Sequence, residues 1–152
     1  MKNNSIVARV VLPILLALCL VVSGCITWNS GLEPVNPSYG YLWNAHVDSL
    51  NPKLAWKPYE KPGAENVRYH LELIDDGVIV LSQGDIVETS YQVDRKLEAG
   101  KKYEWRVRPI WASGGYVNLG PWNYKKYFIV TPAIILFVGF GGYNYNFTTP
   151  EK

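Results

Sequence analysis

An alternation of hydrophobic and polar residues runs through the stretch from Leu97 to Trp111. Its apolar side chains recur at every second position and are Tyr103, Trp105 and Val107. The positions between them are charged and are Glu104, Arg106 and Arg108. A period of two is typical of a strand with one buried face and one solvated face. The stretch therefore predicts a central strand onto which the rest of a domain packs.

A second alternation, over Val67–Leu73, predicts another strand with the same division of faces. Asp75-Asp76-Gly77 then predicts a hairpin, because Asp and Gly tolerate the positive φ angles of a type I′ turn, and Val78–Leu81 is the return arm. Further strands are predicted within 41–50 and at 54–56, 89–93 and 122–130. Short strands separated by turns, with no amphipathic helix, predict an all-β fold that is an antiparallel sandwich.

Several motifs follow one another along these strands. They are Leu54-Ala55-Trp56-Lys57-Pro58, Val67-x-Tyr69-x-Leu71, Thr89-Ser90-Tyr91 and Leu97-x-x-Gly100-x-x-Tyr103-x-Trp105-x-Val107. Together they resemble a fibronectin type III domain over about Pro37 to Thr131. The resemblance implies that Trp56 is the core tryptophan of the second strand. It also implies that Tyr103 forms a corner whose hydroxyl bonds to the backbone near Leu97 to Gly100.

The same resemblance implies that Gly120-Pro121-Trp122 opens the last strand. Two positions depart from the family pattern. Trp105 is bulkier than the aliphatic residue usual there. Pro109 lies late in a central strand, where its missing N–H predicts a bulge or the end of the strand.

Residues 1–24 have the three parts of a secretory signal peptide. Lys2 and Arg9 make the start positive, and an apolar run follows from Val10 to Val22. That run is too short to cross a bilayer as a helix, which needs about 20 apolar residues. Ser23 and Gly24 are the small residues that a peptidase accepts before its cut.

The tetrapeptide Val22-Ser23-Gly24-Cys25 resembles a bacterial lipobox. The resemblance implies cleavage between Gly24 and Cys25, a diacylglycerol on the Cys25 thiol and acylation of the new amine. Several acyl chains would anchor the protein stably in a lipid bilayer. Ile26 resembles the signal for the outer membrane of a Gram-negative host. In a Gram-positive host the anchor would lie on the outer face of the cell membrane. The alternative is an ordinary signal peptide followed by a chance cysteine.

These features predict four segments. They are a lipoprotein signal peptide at 1–24, a lipidated tether at 25–36, a fibronectin type III-like domain at 37–131 and an apolar and aromatic C-terminal extension at 132–152. In the tether and at its end, Gly31, Pro34 and Pro37 favour irregular structure. Cys19 would leave with the leader, so Cys25 would be the one cysteine of the mature chain and no internal disulfide could form.

The C-terminal extension lies beyond the region of resemblance. It is apolar from Ile134 to Phe140, has a Gly141-Gly142 pair, and then alternates Tyr143, Tyr145 and Phe147 with asparagines. The pattern predicts a β-hairpin-like extension packed on the sandwich. One alternative is a membrane segment over 127–143, which is uncharged but contains a proline and glycines. Another is an arm that docks on the sheet edge of a partner.

Charge and motifs exclude several classes of function. Two of the 15 basic residues, Lys2 and Arg9, lie in the leader, so the remainder balances its 13 acidic residues and lacks the basic surface that nucleic acid requires. No nucleophile elbow, phosphate loop or zinc-protease motif occurs. The adjacent acids Asp75 and Asp76 belong to the predicted turn. The sequence therefore predicts no enzyme, no cofactor and no metal site.

The remaining interpretation is a membrane-anchored envelope lipoprotein that binds or scaffolds another protein. The candidate partner-binding residues are Tyr116, Arg106, Arg108, Phe140, Tyr143 and Tyr145. Tyr116 lies in a predicted flexible loop, 112–118, of the kind that fibronectin domains often use for binding. One alternative is an envelope glycan-binding module with exposed aromatic platforms. Another is a small factor for envelope or secretion assembly.

Overall fold

A computed structural model describes residues 24–37, 45–130 and 140–151 of the chain. The strands of these residues are β1 (Gly24–Ser30), β2 (Pro34–Asn36), β3 (Ala45–His46), β4 (Lys53–Trp56), β5 (Glu65–Asp75), β6 (Val78–Ile86), β7 (Ser90–Gln92), β8 (Lys102–Ser113), β9 (Tyr116–Leu119), β10 (Tyr124–Val130), β11 (Phe140–Tyr143) and β12 (Tyr145–Thr148). Within the described ranges there is no helix, and hence none long and apolar enough to span a membrane. The expectation of an all-β fold is confirmed.

The described strands form three sheets in two compact units. One unit contains residues 29–37, 45–125 and 143–151, with the sheet β2-β4-β7 and the larger sheet β3-β12-β8-β5-β6, on which β9 also pairs with β8. The other unit contains residues 24–28, 126–130 and 140–142 and the sheet β1-β10-β11. The first unit is the predicted sandwich. It is not wholly antiparallel, because β3 pairs with β12 in parallel.

The two sheets of the sandwich share one apolar core. Its buried members are Leu32, Ala45, Val47, Leu54, Trp56, Tyr69, Leu71, Leu73, Leu81, Ile86, Val93, Leu97, Tyr103, Trp105, Val107, Tyr145 and Phe147. The three apolar positions of the central alternation lie inside, whereas Glu104, Arg106 and Arg108 are half-buried on the other face of β8. The predicted faces of the central strand are therefore confirmed.

Two predicted local motifs are present. The Tyr103 hydroxyl accepts a hydrogen bond from the Glu98 backbone N–H at 3.2 Å, so the aromatic ring closes the corner before β8. Asp76 and Gly77 have φ angles of 47° and 81° and form the turn between β5 and β6. Both φ angles have the positive sign that a type I′ turn requires.

The last strand of the sandwich differs from the prediction. The predicted strand at 122–130 forms β10, which belongs to the sheet of the other unit. The sandwich is completed instead by β12, which pairs antiparallel with β8, Tyr145 lying opposite Trp105 and Phe147 opposite Tyr103. Gly141 and Gly142, the predicted turn of a C-terminal hairpin, lie within β11, and β12 pairs with β3 and β8. Most of the other predicted arm, residues 134–139, lies outside the described residues.

The edge of β8 opposite β5 is shared by β12, β9 and a short bridge between them. Asn123 forms the bridge: its backbone N–H donates to the Val107 carbonyl at 3.0 Å, and its side-chain Oδ1 accepts the Val107 N–H at 2.6 Å. Gly120 follows the same edge, donating its N–H to the Pro109 carbonyl at 2.8 Å. These contacts satisfy backbone groups that would otherwise be buried without partners.

Pro109 neither ends β8 nor forms a bulge there, contrary to the prediction. It lies inside the strand and opposite Gly120, and Asn123 begins the bridge just beyond. A Cβ atom on Gly120 would lie 2.5 Å from Cγ of the Pro109 ring. The strand therefore tolerates a proline because the facing residue has no side chain.

Other boundaries also differ from the sequence prediction. The segment 25–36 was expected to lack regular structure, but it contains most of β1 and all of β2, and β2 pairs with β4. The predicted loop 112–118 is a tight hairpin between β8 and β9. The proposed membrane segment contains strand residues at 127–130 and 140–143, and its residues 131–139 lie outside the described residues.

Candidate protein-binding surface

The outer face of the six-stranded sheet displays the polar side of β8 and β5. Their register sets Arg106 opposite Glu72, Arg108 opposite His70, and Ile110 opposite Arg68. Side chains directly opposite one another on antiparallel strands are close enough to interact. The face thus passes from a charged middle to an apolar end at the β8–β9 hairpin.

The charged middle is an arginine–tryptophan cluster, which consists of Arg106, Arg108, Trp122, His70 and Glu72. The two guanidinium carbons lie 4.6 Å and 4.3 Å from the centre of the Trp122 ring, which is the geometry of a cation–π contact. Arg106 also donates to Oε2 of Glu72, through Nη2 at 2.6 Å and Nε at 2.7 Å. This pairing lets Glu72 be buried, because its charge is both paired and hydrogen-bonded.

His70 is held in one tautomer by its neighbours. Its Nδ1 lies 3.3 Å from Nη2 of Arg108, and its Nε2 lies 2.9 Å from the Ser82 hydroxyl. Because a guanidinium only donates, Nδ1 must accept and the proton must sit on Nε2. Burial of the imidazole and the charge of Arg108 lower the pKa of His70, with a smaller contribution from Arg106, and the Glu72 carboxylate opposes them.

Acid should weaken the fold through His70. Since its folded pKa lies below the unfolded value of about 6.5, the unfolded chain binds more protons just below that pH. The contribution of His70 to stability is therefore complete above about pH 6.5 and is lost as the pH falls toward the folded pKa. We expect the free energy of unfolding to decline less between about pH 7 and 5 in His70→Gln than in the wild type, as measured by urea titrations.

A free energy of unfolding that depends on pH in the same way in His70→Gln and in the wild type would contradict this contribution of His70 to stability.

The apolar end of the surface is the β9 strand. Three of its residues are exposed: Tyr116 at 78%, Val117 at 77% and Leu119 at 60%. Val117 and Leu119 lie opposite Ala112 and Ile110 of β8, so these aliphatic groups share one face of the hairpin. Tyr116 lies on its other face, opposite Ser113. The hairpin therefore presents apolar side chains to solvent on both faces.

The residues predicted to bind a partner do not all come together. Tyr116 is on the exposed hairpin, and Arg106 and Arg108 lie in the neighbouring cluster. Tyr145 is 1% exposed and belongs to the core, so it is not available at a surface. Phe140 and Tyr143 lie in β11. Of the predicted lipidation site, Gly24 and Cys25 begin β1, and Val22 and Ser23 lie outside the described residues.

Val117 and Leu119 belong to this surface but were missed as candidate residues, and Trp122 was considered for sugar binding and not for protein binding. The signal for Val117 and Leu119 was the sequence Gly114-Gly115 followed by alternating residues, which fits a two-residue hairpin and its return strand. No sequence signal connects Trp122 to the two arginines, because that contact depends on where the chain turns after β9.

The other end of the larger sheet has an open hollow. It is lined by Asp75, Asp76, Val78, Val80, Lys101, Lys102 and Glu104. Lys101 forms salt bridges there with Asp75 at 2.7 Å and Glu98 at 3.4 Å. Among the described residues no group of three or more His, Cys, Asp or Glu side chains is placed to hold a metal ion. The hollow therefore contains a charge pair but no arrangement of side chains that indicates a catalytic or metal-binding site.

Comparison of the chain with models of known families, with characterised proteins and with solved structures gives no match.

Proposed function

We propose that this chain is a lipid-anchored protein of the bacterial cell envelope whose sandwich binds another protein and catalyses no reaction. The observation that carries the proposal is the exposure of Tyr116, Val117 and Leu119 on one short strand. Clustered apolar side chains at a surface are characteristic of sites that contact another protein. The adjacent arginine–tryptophan cluster adds residue types that are enriched at protein interfaces.

We also propose that the sandwich is of the fibronectin type III kind. Two features support this. Trp56 is buried in β4, where the resemblance requires a core tryptophan, and the Tyr103 hydroxyl bonds to the backbone upstream of β8. The chain departs from a simple sandwich between β9 and β12, where it contributes β10 and β11 to another sheet.

The anchor is proposed to be acylated Cys25. The support is the sequence of the leader, with its positive start, its apolar run and its small residues before the cysteine. In a Gram-negative host Ile26 favours the outer membrane, and in a Gram-positive host the chain would be held on the outer face of the cell membrane.

Radiolabelled palmitate should enter the wild-type chain and be absent from Cys25→Ala. The reason is that the alanine has no thiol to carry the diacylglycerol. Autoradiography of the purified chain measures the label, and Cys19→Ala is the matched control because its cysteine precedes the cut. Equal label in Cys25→Ala and the wild type would contradict the proposed site.

Protein binding at β9 can be tested by site-specific photo-crosslinking of the full chain in its own envelope. A photoreactive phenylalanine in place of Val117 should give one adduct of defined mass. The matched control is the same probe in place of Val87, which is also an exposed valine but lies after β6. No adduct from position 117, or equal adducts from both positions, would contradict the proposed function.

Glycan binding is not favoured by the described aromatic side chains. Trp56, Trp105 and Trp111 are buried, and Trp122 is covered by two guanidinium groups. Tyr116 is the one described aromatic side chain that is largely exposed. A sugar platform built from a row of rings therefore has no support, and no separate observation favours an assembly factor.

A further inference from the structure

Among the described strands β9 pairs with β8 alone, and its hydrogen-bond alternation shows which residues face its other edge, called here the free edge. In an antiparallel pair, residues that exchange hydrogen bonds alternate with residues that do not. The bond from Gly120 N–H to the Pro109 carbonyl identifies 109/120 as a bonded pair. With the observed register, 111/118 and 113/116 are bonded pairs as well. The N–H and C=O groups of Val117 and Leu119 therefore point away from β8.

The same two residues carry the exposed aliphatic side chains of the outer face. Val117 and Leu119 are 77% and 60% exposed, and in the part of the chain that the structure describes β9 has β8 as its one pairing partner. Unpaired backbone groups beside exposed aliphatic side chains provide both components of strand addition, in which hydrogen bonds give affinity and side-chain contacts give selectivity.

The edge that β6 forms in the larger sheet is less suited to a partner. β6 also carries exposed aliphatic residues, Val78 and Ile79. However, its pairing with β5 contains two register shifts, and Asp85 has a positive φ angle within the strand. Bulges of this kind bend an edge and hinder pairing with another chain. The register between β8 and β9 has no such shift.

The charges around the hairpin favour an acidic partner. Arg68 and Arg108 lie on the outer face next to its apolar end, and Lys61 lies 4.7 Å from the ring of Trp111 at the hairpin base. No salt bridge among the described residues involves any of the three cations. Of the carboxylates that face β8 from β5, Glu65 lies opposite Ala112, and Glu72 is already paired with Arg106. Neighbouring strands lie about 5 Å apart, so a strand added to β9 is about 10 Å from β8, which carries Arg108, and about 15 Å from β5, which carries Arg68. Arg108 therefore lies within about one Debye length of the added strand, and the charge of Arg68 is more strongly screened.

We propose that β9 receives an extended, acidic segment of a partner protein as an added strand. Backbone groups of the segment pair with Val117 and Leu119, and its aliphatic side chains cover the two exposed aliphatic ones. Its carboxylates lie on the same face, beyond those aliphatic side chains and toward the cationic border. This inference rests on the proposed protein-binding function and states the chemistry of the segment that binds. A second copy of this chain is less suitable, because pairing β9 with itself brings two cationic borders together.

The test uses the purified full chain in detergent and fluorescein-labelled peptides of about nine residues, a length that covers a strand of typical size. One peptide has valine at the alternate residues of its middle and aspartate at the alternate residues of both ends, so that valines and aspartates share one face, with threonine between them. A second peptide has lysine in place of each aspartate. The third is the aspartate peptide with a methyl group on every second backbone nitrogen. It is made in two versions, methylated at the odd or at the even residues, so that each version blocks the N–H groups along one edge of the peptide. Fluorescence anisotropy should show binding of the aspartate peptide at least about tenfold tighter than that of the lysine peptide, and one N-methylated version should lose binding.

Substitutions in the chain test the same backbone hydrogen bonds and the same charges by changing the protein instead of the peptide. Val117→Pro keeps an apolar side chain and removes an N–H that points to the free edge, so it should weaken binding of the aspartate peptide at least about tenfold. Val117→Ile is the matched variant that keeps the N–H and should bind as the wild type does. Arg68→Glu should weaken binding, whereas reversal of the exposed Arg95, which lies between β7 and β8, should not. Should Val117→Pro fail to fold, the N-methylated peptides test the same hydrogen bonds on the wild type.

Several results would overturn the inference. They include equal binding of acidic and basic peptides, binding that survives N-methylation in both versions, and self-association of the full chain that Val117→Pro abolishes. An adduct at position 117 in the envelope without binding of the aspartate peptide would leave the proposed function standing and overturn strand addition. Absence of both the adduct and the binding would contradict both proposals.

Discussion

Replacing Phe147 with alanine should lower the free energy of unfolding by about 3–5 kcal/mol. Phe147 is fully buried in β12, between β3 and β8. Its ring stacks on that of Tyr103 with their centres 5.9 Å apart, so the alanine would leave a cavity beside the residue that closes the corner. Urea unfolding of the full chain, followed by tryptophan fluorescence, measures the loss.

The matched control for Phe147→Ala is Tyr116→Ala, which truncates an aromatic residue of similar size that is 78% exposed. It should change the free energy of unfolding by less than about 0.5 kcal/mol, as is usual at surfaces. A cost below about 1 kcal/mol for Phe147→Ala would mean that β12 does not complete the core.

The part of the fold that could be predicted from sequence is the part with strict alternation. The odd positions from Tyr103 to Val107 are buried, as their period of two requires. The second alternation is also right for Tyr69, Leu71 and Leu73. The local signals at the β5–β6 turn succeeded because a type I′ turn depends on the residues of the turn itself.

The choice of the last strand could not be made from local pattern. Residues 124–130 and 145–148 both favour extended structure, and either could have paired with β8. Long-range contacts determine which segment pairs with β8. Tyr145 and Phe147 fill the core, and the Asn123 side chain, just before residues 124–130, takes the hydrogen bond of the Val107 N–H. Such pairings depend on the whole fold, which local propensity does not describe.

The candidate surface, like the fold, could be predicted from the sequence only in part. Tyr116 stood out because glycines precede it, and glycines mark a turn at the surface. The two arginines were placed on the outer face correctly, but their contacts with Trp122 required the path of the chain after β9. Because 112–118 was predicted to be a loop and not a hairpin, Val117 and Leu119 were not predicted as exposed strand residues. The proposed strand addition depends on these two residues.

Replacing Gly31 with alanine should lower the free energy of unfolding by about 2–5 kcal/mol. Gly31 has a φ angle of 78°, where a side chain is strained. A Cβ atom there would also lie 2.8 Å from Cα and 2.9 Å from the backbone N of Asn123, and 2.9 Å from the Trp122 carbonyl oxygen. These are backbone atoms, so no side-chain rotation can relieve the overlap.

Gly63→Ala separates the two causes, because Gly63 has nearly the same φ angle, 76°, with no atom within 4 Å of an added Cβ. It should therefore show the cost of the backbone strain alone, about 1 kcal/mol. The excess cost of Gly31→Ala then measures how rigidly the Trp122–Asn123 segment is held. Rigidity is expected, since Asn123 is fully buried and bonds to Val107 through both its backbone and its side chain. Equal costs for the two variants in urea unfolding would show that this segment moves freely and would argue against Asn123 as the fixed bridge between β9 and β12.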